Sequence, residues 1–292
     1  MSPPLVSVII PTFNRATLLR DAMASVVAQR YSPLEIIVAD DGSTDDTPRI
    51  VEGQPGVRHL HLEHCGLPAR VRNRGADEAR GTLLAFLDDD DTWEPDKLTR
   101  QVGALSAHPD AVGSYTDITI LMTDGNRIPR VFRPHHPVSG DVWPQLLRQC
   151  LITSSTVLLR RDVFDRVGGF DETLDAVEDY DLWLRLAASG SFRYVNEPLA
   201  TVNRGHDSIT HQRQRSVWTN TLGILDRAPR LRTLTLAERL TRRRSMARAH
   251  TRIAEHLDGP DGRRHLRQAL QLNPLQRRAW RTLFGRDPGT TR

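Results

Sequence analysis

The sequence LLAFLDDDD occupies residues 83–91 and joins an uninterrupted apolar run to four consecutive aspartates. Strand-like apolar runs also occur at residues 6–10, 34–39 and 57–62, with helix-like segments at residues 15–29 and 68–80 between them. Strands that are apolar on both faces and alternate with helices are typical of a mostly parallel sheet covered on both sides. The first third of the chain therefore predicts an α/β fold.

The remainder of the chain has a looser pattern. We predict a long strand at residues 112–122, a strand at 152–159 and an amphipathic helix at 180–188. From about residue 215 onward the spacing is helical and the composition is rich in arginine. This part predicts a helical extension that follows the α/β region.

The composition is that of an ordinary globular protein, with 38% hydrophobic and 26% charged residues in a chain of 292. Two isolated cysteines exclude a disulfide framework or a cysteine zinc site and favour a reducing compartment. The apolar run at residues 6–10 is short and ends at Pro11, so we interpret it as a buried strand instead of a signal peptide. No run reaches the roughly 18 apolar residues of a membrane span. We therefore expect a cytoplasmic protein that is either soluble or peripheral to the membrane.

The charge is divided unevenly along the chain. Residues 1–212 hold 21 Lys/Arg and 30 Asp/Glu, a net charge of −9, whereas residues 213–292 hold 19 Arg and 6 acidic residues, a net charge of +13. An acidic N-terminal part and a basic C-terminal part indicate two surfaces with different partners. The basic helices are either a solvated extension or a dock for anionic lipid headgroups at the inner face of the plasma membrane. We expect no nucleic-acid partner, because no aromatic-interleaved or finger motif accompanies the charge.

The aspartates of residues 88–91 are the strongest chemical signal. Four adjacent carboxylates repel one another unless a cation neutralises them, and hard divalent cations prefer oxygen ligands. In an extended segment Asp88 and Asp90 point the same way. The alternative is an acidic loop that caps the helix near Pro95.

A second acidic strand end lies at Asp40 and Asp41. A carboxylate at such a position accepts hydrogen bonds from a base or a ribose. The alternative is a turn whose Ser43, Thr44 and Asp45 cap the next helix. Because ligands bind beyond the carboxyl ends of parallel strands, both acidic loops should open onto one crevice.

Six segments in order resemble the family 2 glycosyltransferases with the GT-A fold, over about residues 4–210. They are VSVIIPTFNR (6–15), VADDGSTDDT (38–47), ARVRNRGADEARG (69–81), LLAFLDDDDTWEPDKL (83–98), VGGFDETL (167–174) and EDYDLWLRL (178–186). The resemblance implies a GT-A fold with a C-terminal helical extension. It implies a catalytic domain at 1–212, divided at about residue 110 into nucleotide-sugar and acceptor halves, and a basic extension at 213–292.

The resemblance also implies roles for the residues that meet the donor. Pro11 and Phe13 match positions at the nucleotide base, and Asp41 matches the acid that binds this base. Arg72 matches a basic residue that approaches the nucleotide. Its neighbours Arg70 and Arg74 are better explained as a solvated helix face.

The metal site follows from the same resemblance. Asp88, Asp89 and Asp90 match the D-x-D element, with a register open by one residue because the run holds four aspartates. Asp90 is then the principal ligand of Mn²⁺ or Mg²⁺, and Asp88 and Asp89 lie nearby on ribose, metal or water. His206 matches a histidine that some relatives place near the metal and diphosphate, although a lone histidine is more often structural.

The implied reaction is an inverting, metal-dependent sugar transfer from a nucleotide-diphosphate donor, with uridine as the expected base. Asp179, beside Glu178, matches the catalytic base, although two acids at a helix start also favour the helix dipole. The expected acceptor is a glycan or a lipid-linked hydroxyl of a bacterial surface polysaccharide. Alternatives are transfer to a peptide, protein or natural product, and a catalytically silent sugar-nucleotide binder.

Overall fold

The computed structural model describes residues 2–130, 138–204 and 213–284 of the chain. They form two compact units, one drawn from residues 2–142 and 151–204 and the other from residues 143–150 and 213–284. The short segment Trp143–Cys150 therefore belongs with the C-terminal helices, although it interrupts the first unit in sequence.

The first unit contains one mixed sheet with helices packed against it. Its strands are β1 Val6–Thr12, β2 Leu34–Asp40, β3 Val57–His61, β4 Leu83–Phe86, β5 Thr92–Trp93, β6 Ala111–Met122, β7 Arg127–Pro129, β8 Leu158–Arg160 and β9 Ser191–Arg204. Its helices are α1 Ala16–Val27, α2 Thr47–Glu52, α3 Pro68–Asp77, α4 Lys97–Ser106, α6 Arg161–Val167 and α7 Glu178–Ser189, with a 3₁₀ turn at Ser154–Thr156.

The strand order among the described residues is β3-β2-β1-β4-β8-β6-β9-β5, and β7 pairs with β6. Strands β3, β2, β1 and β4 are parallel, whereas β8 is antiparallel to both β4 and β6. Strand β1 lies between two parallel neighbours, which explains why its apolar residues are buried on both faces. The carboxyl ends of β1, β2 and β4 consequently lie at the same edge of the sheet.

The alternating strands and helices predicted over residues 6–87 are present, but the strand predicted at residues 152–159 is wrong over most of its length. Ser154–Thr156 forms a 3₁₀ turn, and the strand covers only Leu158–Arg160. The buried Ser155 hydroxyl donates a hydrogen bond to Asp91, so the burial of this residue does not indicate a strand.

Helix α3 packs closely on the sheet because Gly75 faces it. A Cβ atom at Gly75 would lie 2.5 Å from Cγ2 of Ile9, so a larger residue here would push the helix away from β1. Pro68 at the first helical position has no amide hydrogen to leave unpaired. This close packing fixes the position of Arg72, one helical turn before Gly75.

The second unit is helical and consists of α5 Trp143–Arg148, α8 Gln214–Leu231, α9 Leu236–Ala254, α10 Gly259–Leu272 and α11 Arg277–Phe284. Helix α9 begins with a capping box, in which Thr235 and Glu238 satisfy each other's backbone amides. A small apolar core lies among α9, α10 and α11, and Ala247, Leu266, Ala269 and Ala279 are part of it. No helix in the described parts of the chain combines the length and apolar character needed to cross a membrane.

Candidate active site

The acidic ends of β2 and β4 meet on either side of the end of β1. The Thr12 carbonyl oxygen accepts a hydrogen bond of 2.9 Å from the amide of Asp41, and the Thr12 hydroxyl donates one of 2.7 Å to Asp89. One residue of β1 therefore contacts both acidic loops. The structure brings these loops together, as their positions at the ends of parallel strands predict.

Arg15, just before helix α1, lies against the aspartate run. Its Nη1 atom is 3.0 Å from Oδ1 of Asp89 and 3.1 Å from Oδ2 of Asp90. Burial raises the pKa of Asp89 to about 6, although Arg15 opposes this rise. Burial and the charge of Asp88 also raise the pKa of Asp90. Arg15 therefore balances only part of the negative charge of the run.

Protein groups hold both carboxylate oxygens of Asp91, as they do those of Asp89. The Ser155 hydroxyl donates to Oδ2 at 2.5 Å, and the Asn203 amide donates to Oδ1 at 2.9 Å. Burial, followed by the charges of Asp88 and Asp90, raises the Asp91 pKa well above its usual value. These contacts favour a D-x-D register of Asp88 to Asp90.

The carboxylates of Asp88 and Asp90 fit a hard divalent cation. Their side chains are 36% and 27% exposed, so an ion could reach them from solvent. Mg²⁺ commonly uses one or two protein carboxylates and completes its shell with water and substrate phosphates. A cation here would also relieve the repulsion that raises the Asp90 pKa.

The predicted base-binding residues lie together at the ends of β1 and β2. The buried Asp41 carboxylate accepts hydrogen bonds from the amides of Cys65 at 2.9 Å and Gly66 at 2.8 Å. The Phe13 ring stacks on His64, with centroids 4.1 Å apart and planes 22° apart. Phe13 is 39% exposed, so a planar surface is available beside Asp41.

Pro11 lies on β1 one residue before Thr12 and pairs with Ala39 on β2. Its position therefore places it beside the strand end that leads to Asp41. His64 was not among the predicted site residues, because a histidine in a loop gives no sequence signal of stacking.

Arg72 is buried between the aspartate run and the start of helix α7. Its Nη2 atom donates to Asp88 at 2.6 Å, and its Nη1 atom donates to Glu178 at 2.6 Å. Burial alone would lower the Arg72 pKa, but Asp88 and Glu178 raise it overall. In this structure Arg72 therefore holds two acidic segments together, whereas the resemblance placed it near the nucleotide.

Asp179 follows Glu178 at the start of α7. Burial raises the Asp179 pKa to about 7, and the charge of Glu178 adds to this effect while Arg72 opposes it. A carboxyl group with a pKa near the working pH can accept a proton and release it again. The preceding Val177 adopts a left-handed conformation with φ of 55°, which is a strained state for a β-branched residue.

Asn73 connects the third and fifth sequence motifs. Its Nδ2 atom donates to the carbonyl of Phe170 at 2.9 Å, and its Oδ1 atom accepts from the amide of the same residue at 2.9 Å. Gly169, with φ of 65°, makes the turn that presents Phe170 to Asn73. Helix α3 thus positions both Arg72 and the loop before α7.

Several contacting residues carry no clear sequence signal. Thr12, Arg15 and Ser155 all contact the aspartate run, and Ser155 also accepts a hydrogen bond of 3.1 Å from the Asp88 amide. Ser155 lies more than sixty residues from the run in sequence, so only the folded chain reveals the contact. His206, predicted near the metal, lies outside the described residues.

Comparison with known proteins identifies the family to which this arrangement corresponds. The family model for Glycosyl transferase family 2 matches residues 7–168. An uncharacterized glycosyltransferase of Rickettsia felis is 33% identical over 200 residues, which is 68% of this chain and 32% of that protein. The chain therefore spans about a third of the length of this relative.

The match to a relative with a more specific name covers most of that relative's length. The putative teichuronic acid biosynthesis glycosyltransferase TuaG of Bacillus subtilis is 28% identical over 218 residues, which is 73% of this chain and 84% of TuaG.

Solved structures with low sequence identity share the fold. S. aureus TarS 1-349 in complex with UDP has a TM-score of 0.69 and 18% identity, covering 92% of this chain and 81% of that chain. The mannosyltransferase PcManGT from Pyrobaculum calidifontis, in complex with GDP-Man and Mn²⁺, has a TM-score of 0.64 and 19% identity, covering 97% and 84%. This likeness confirms the GT-A-like fold expected from the sequence.

Proposed function

The chain belongs to glycosyl transferase family 2, and we propose that it moves a sugar from a nucleotide-diphosphate donor to a hydroxyl acceptor with inversion. The observation that carries the proposal is the contact of Thr12 with both Asp41 and Asp89. A base-binding acid and a metal-binding acid on either side of one strand end suit a nucleotide diphosphate, which has a base at one end and phosphates at the other.

We propose a uridine diphosphate sugar as the donor. The TarS structure contains UDP, and the exposed Phe13 ring beside Asp41 offers a stacking surface for a pyrimidine. GDP-Man in the PcManGT complex makes a guanosine donor the second candidate. Asp41 already accepts two backbone amides, and Nδ1 of His64 lies 2.9 Å from its Oδ2 atom, so Oδ1 is the oxygen with a lone pair left for a base N–H.

Asp90 and Asp88 would hold Mn²⁺ or Mg²⁺ together with the diphosphate. Such an ion would stabilise the charge that develops on the leaving nucleotide. Asp89 is buried and bonded to Thr12 and Arg15, so its part is to fix the loop. Arg15 lies between Asp89 and Asp90, where its guanidinium can also meet phosphate oxygens.

Asp179 would accept the proton of the acceptor hydroxyl as its oxygen attacks the anomeric carbon. A single displacement with one base inverts the anomeric configuration, unlike the two-carboxylate mechanism of retaining glycosidases. Glu178 is engaged by Arg72 at 2.6 Å, which leaves Asp179 as the base and gives Glu178 a positioning role.

The proposed pathway is the synthesis of a bacterial surface polysaccharide, as the name of TuaG suggests. Residues 1–212 would carry catalysis, with donor and acceptor halves that meet near residue 110. The basic region 213–292 would serve as an accessory part, to which the observed second unit adds the segment Trp143–Cys150.

We further propose that the C-terminal helices contact an anionic membrane that carries a lipid-linked acceptor. On α11, Trp280 and Phe284 are stacked and are 45% and 73% exposed, and Leu275 just before the helix is 84% exposed. Arg277 and Arg281 lie on the same short helix. Exposed aromatic residues beside arginines are the composition of helices that lie in the membrane interface.

The test is a thermal-shift panel of UDP-, GDP- and TDP-sugars, each measured with Mn²⁺ and with a chelator. A ligand that binds only the folded state raises the melting temperature, and the rise is larger when the ligand binds more tightly. The proposal predicts a shift for one nucleotide class that requires the metal and disappears in Asp90→Asn. Equal melting temperatures with every nucleotide sugar would contradict it.

A further inference from the structure

Three side chains outside the proposed donor site meet at the edge of the sheet. Asp40 is the last residue of β2, and His59 and His61 lie on the edge strand β3. The parallel register pairs Val38 with His59 and Asp40 with His61. Because side chains alternate along a strand, the two histidines lie on the same face as Asp40.

The contacts among these groups converge on one oxygen atom. Oδ2 of Asp40 lies 3.1 Å from Nε2 of His59 and 3.3 Å from Nδ1 of His61. All three candidate ligand atoms lie within 4.8 Å of one another. Among the described residues these three side chains form a group whose geometry could hold a metal ion.

These separations match the edges of a small coordination tetrahedron. Zinc binds histidine nitrogen and carboxylate oxygen at about 2.0–2.2 Å, which places tetrahedral ligand atoms about 3.3–3.5 Å apart. The two measured separations are therefore close to those of a bound ion.

A second contact holds the Asp40 carboxylate in the required orientation. Its other oxygen, Oδ1, accepts a hydrogen bond of 2.8 Å from the amide of Ser43, and the side chain is fully buried. Metal ligands are commonly oriented by such outer contacts, which leave one atom free to coordinate. The side chain of His59 is 14% exposed and that of His61 is 58% exposed, so the open side of the group faces solvent.

We propose that Asp40, His59 and His61 form a binding site for a zinc-class divalent ion, with water in the fourth position. Two imidazoles and one carboxylate suit Zn²⁺ and its transition-metal neighbours, whereas the all-oxygen aspartate run suits Mg²⁺ or Mn²⁺. The ion would link β3 to β2 through Asp40, the residue before Asp41. Its effect is on the stability of the donor-binding edge, and the sugar transfer itself does not use it.

The alternative is a cluster in which the two imidazoles only donate hydrogen bonds to Asp40. A metal site and a cluster held only by hydrogen bonds have the same distances when no ion is bound. A metal titration is therefore needed to distinguish them. The full chain is prepared without a histidine tag, stripped with a chelator and titrated with Zn²⁺ in a calorimeter. Titration of Asp90→Asn in parallel separates this site from the aspartate run.

The proposal predicts one Zn²⁺ site per chain, which persists in Asp90→Asn and raises the melting temperature. His61→Ala should weaken Zn²⁺ binding by about tenfold or more, since even outer contacts of a metal site contribute that much. His256→Ala, which removes an exposed histidine after α9, is the matched control and should bind like the wild type.

Circular dichroism of His61→Ala checks that the variant is folded, and His61→Gln repeats the test with a polar side chain. Substitution with Co²⁺ adds a second readout, because a tetrahedral Co²⁺ site absorbs visible light that the His61 variants should lose. Equal Zn²⁺ affinity in the wild type and the His61 variants would overturn the proposal, as would the absence of Zn²⁺ binding by the wild type.

Discussion

Arg72 donates a buried hydrogen bond of 2.6 Å to Glu178, which lies 106 residues further along the chain. Its other terminal nitrogen donates at 2.6 Å to Asp88. The start of α7, where Asp179 lies, is thereby tied to the aspartate run. The guanidinium fork can contact two carboxylates at once, which the single ammonium group of lysine does poorly.

Replacement of Arg72 should therefore damage both stability and activity. Arg72→Met leaves Glu178 buried without its partner, and removal of one member of a buried ion pair costs about 3–5 kcal/mol. Arg72→Lys should cost less, but it should still lower turnover because Asp179 is no longer held in place. Urea denaturation and a nucleotide-release assay measure the two effects.

The matched control is Arg70→Met on the same helix, because Arg70 forms an exposed pair with Glu172. Its effect on the free energy of unfolding should stay within about 0.5 kcal/mol. Equal losses in the Arg70 and Arg72 variants would show that the bridge contributes nothing specific.

Asp179→Asn should lower turnover by about 10²–10⁴-fold, the usual contribution of a general base. The Asp179 pKa is raised to about 7, and the base acts in its ionised form. Wild-type turnover should therefore rise as the pH increases through about 7. The Asn variant should lack this rise while it still binds the donor, and a variant with near-normal turnover would exclude Asp179 as the base.

The same residue predicts an opposite trend in stability. An unfolded aspartate has a pKa of about 3.9, so between about pH 4 and pH 7 the native state binds the Asp179 proton more tightly. The contribution of Asp179 to the free energy of unfolding falls as the pH rises through this interval. Asp179→Asn should gain stability relative to the wild type between pH 5 and pH 8, measured by urea denaturation at each pH. The exposed Asp162→Asn serves as the control.

Lys97, the sole lysine of the chain, is fully buried. Its ammonium group lies 3.9 Å from the centre of the Trp93 ring and donates to Gln101 at 2.7 Å. Burial lowers the Lys97 pKa well below its usual value. The native state therefore binds this proton less tightly than the unfolded state does, so the free energy of unfolding should rise with pH toward about 10.4, the usual lysine pKa.

Lys97→Met removes this titration, so the stability gained by the variant over the wild type should become smaller as the pH rises toward about 10. Denaturation with urea at several pH values measures the difference. Arg100→Met, an exposed position on the same helix, should leave the pH dependence unchanged. If the free energy of unfolding has the same pH dependence in the wild type and in Lys97→Met, burial does not lower the Lys97 pKa.

The proposed membrane contact predicts binding to anionic vesicles that salt weakens. Each basic residue near such a surface contributes about 1 kcal/mol, and burial of the exposed aromatic rings adds to it. A Trp280→Ala and Phe284→Ala double variant should pellet less with phosphatidylglycerol vesicles than the wild type. The control is Val27→Ala, which changes an exposed apolar side chain in the first unit. Equal vesicle binding by the wild type, the Trp280→Ala and Phe284→Ala double variant and the Val27→Ala control would contradict the role of α11.

The first half of the fold was predictable because its apolar runs are continuous and because β1, β4 and most of β2 are buried on both faces. The acidic ends of β2 and β4 were predictable for the same reason, since the topology of parallel strands puts them at one edge. The family motifs added roles that pattern alone does not supply, such as that of Asp179.

The remaining site contacts depend on tertiary structure that no local pattern reports. Ser155 reaches Asp88 and Asp91 because antiparallel β8 pairs with β4, and a strand of three residues has almost no periodic signal. The resemblance predicted Arg72 near the nucleotide, but its burial between Asp88 and Glu178 depends on the close packing of α3 on β1. The contact of Asp40 with His59 and His61 likewise follows from the register of β2 and β3.

Asp41 and the aspartate run are proposed to bind the two ends of one nucleotide diphosphate. The decisive experiment is calorimetric titration of the wild type, Asp41→Asn and Asp90→Asn with UDP, once in Mn²⁺ and once in chelator. We expect Mn²⁺ to tighten UDP binding to the wild type at least about tenfold, a difference of about 1.4 kcal/mol. Asp90→Asn should lose this metal effect, and Asp41→Asn should bind UDP more weakly under both conditions. Equal UDP affinity of the wild type with and without Mn²⁺, or a full metal effect in Asp90→Asn, would contradict the account.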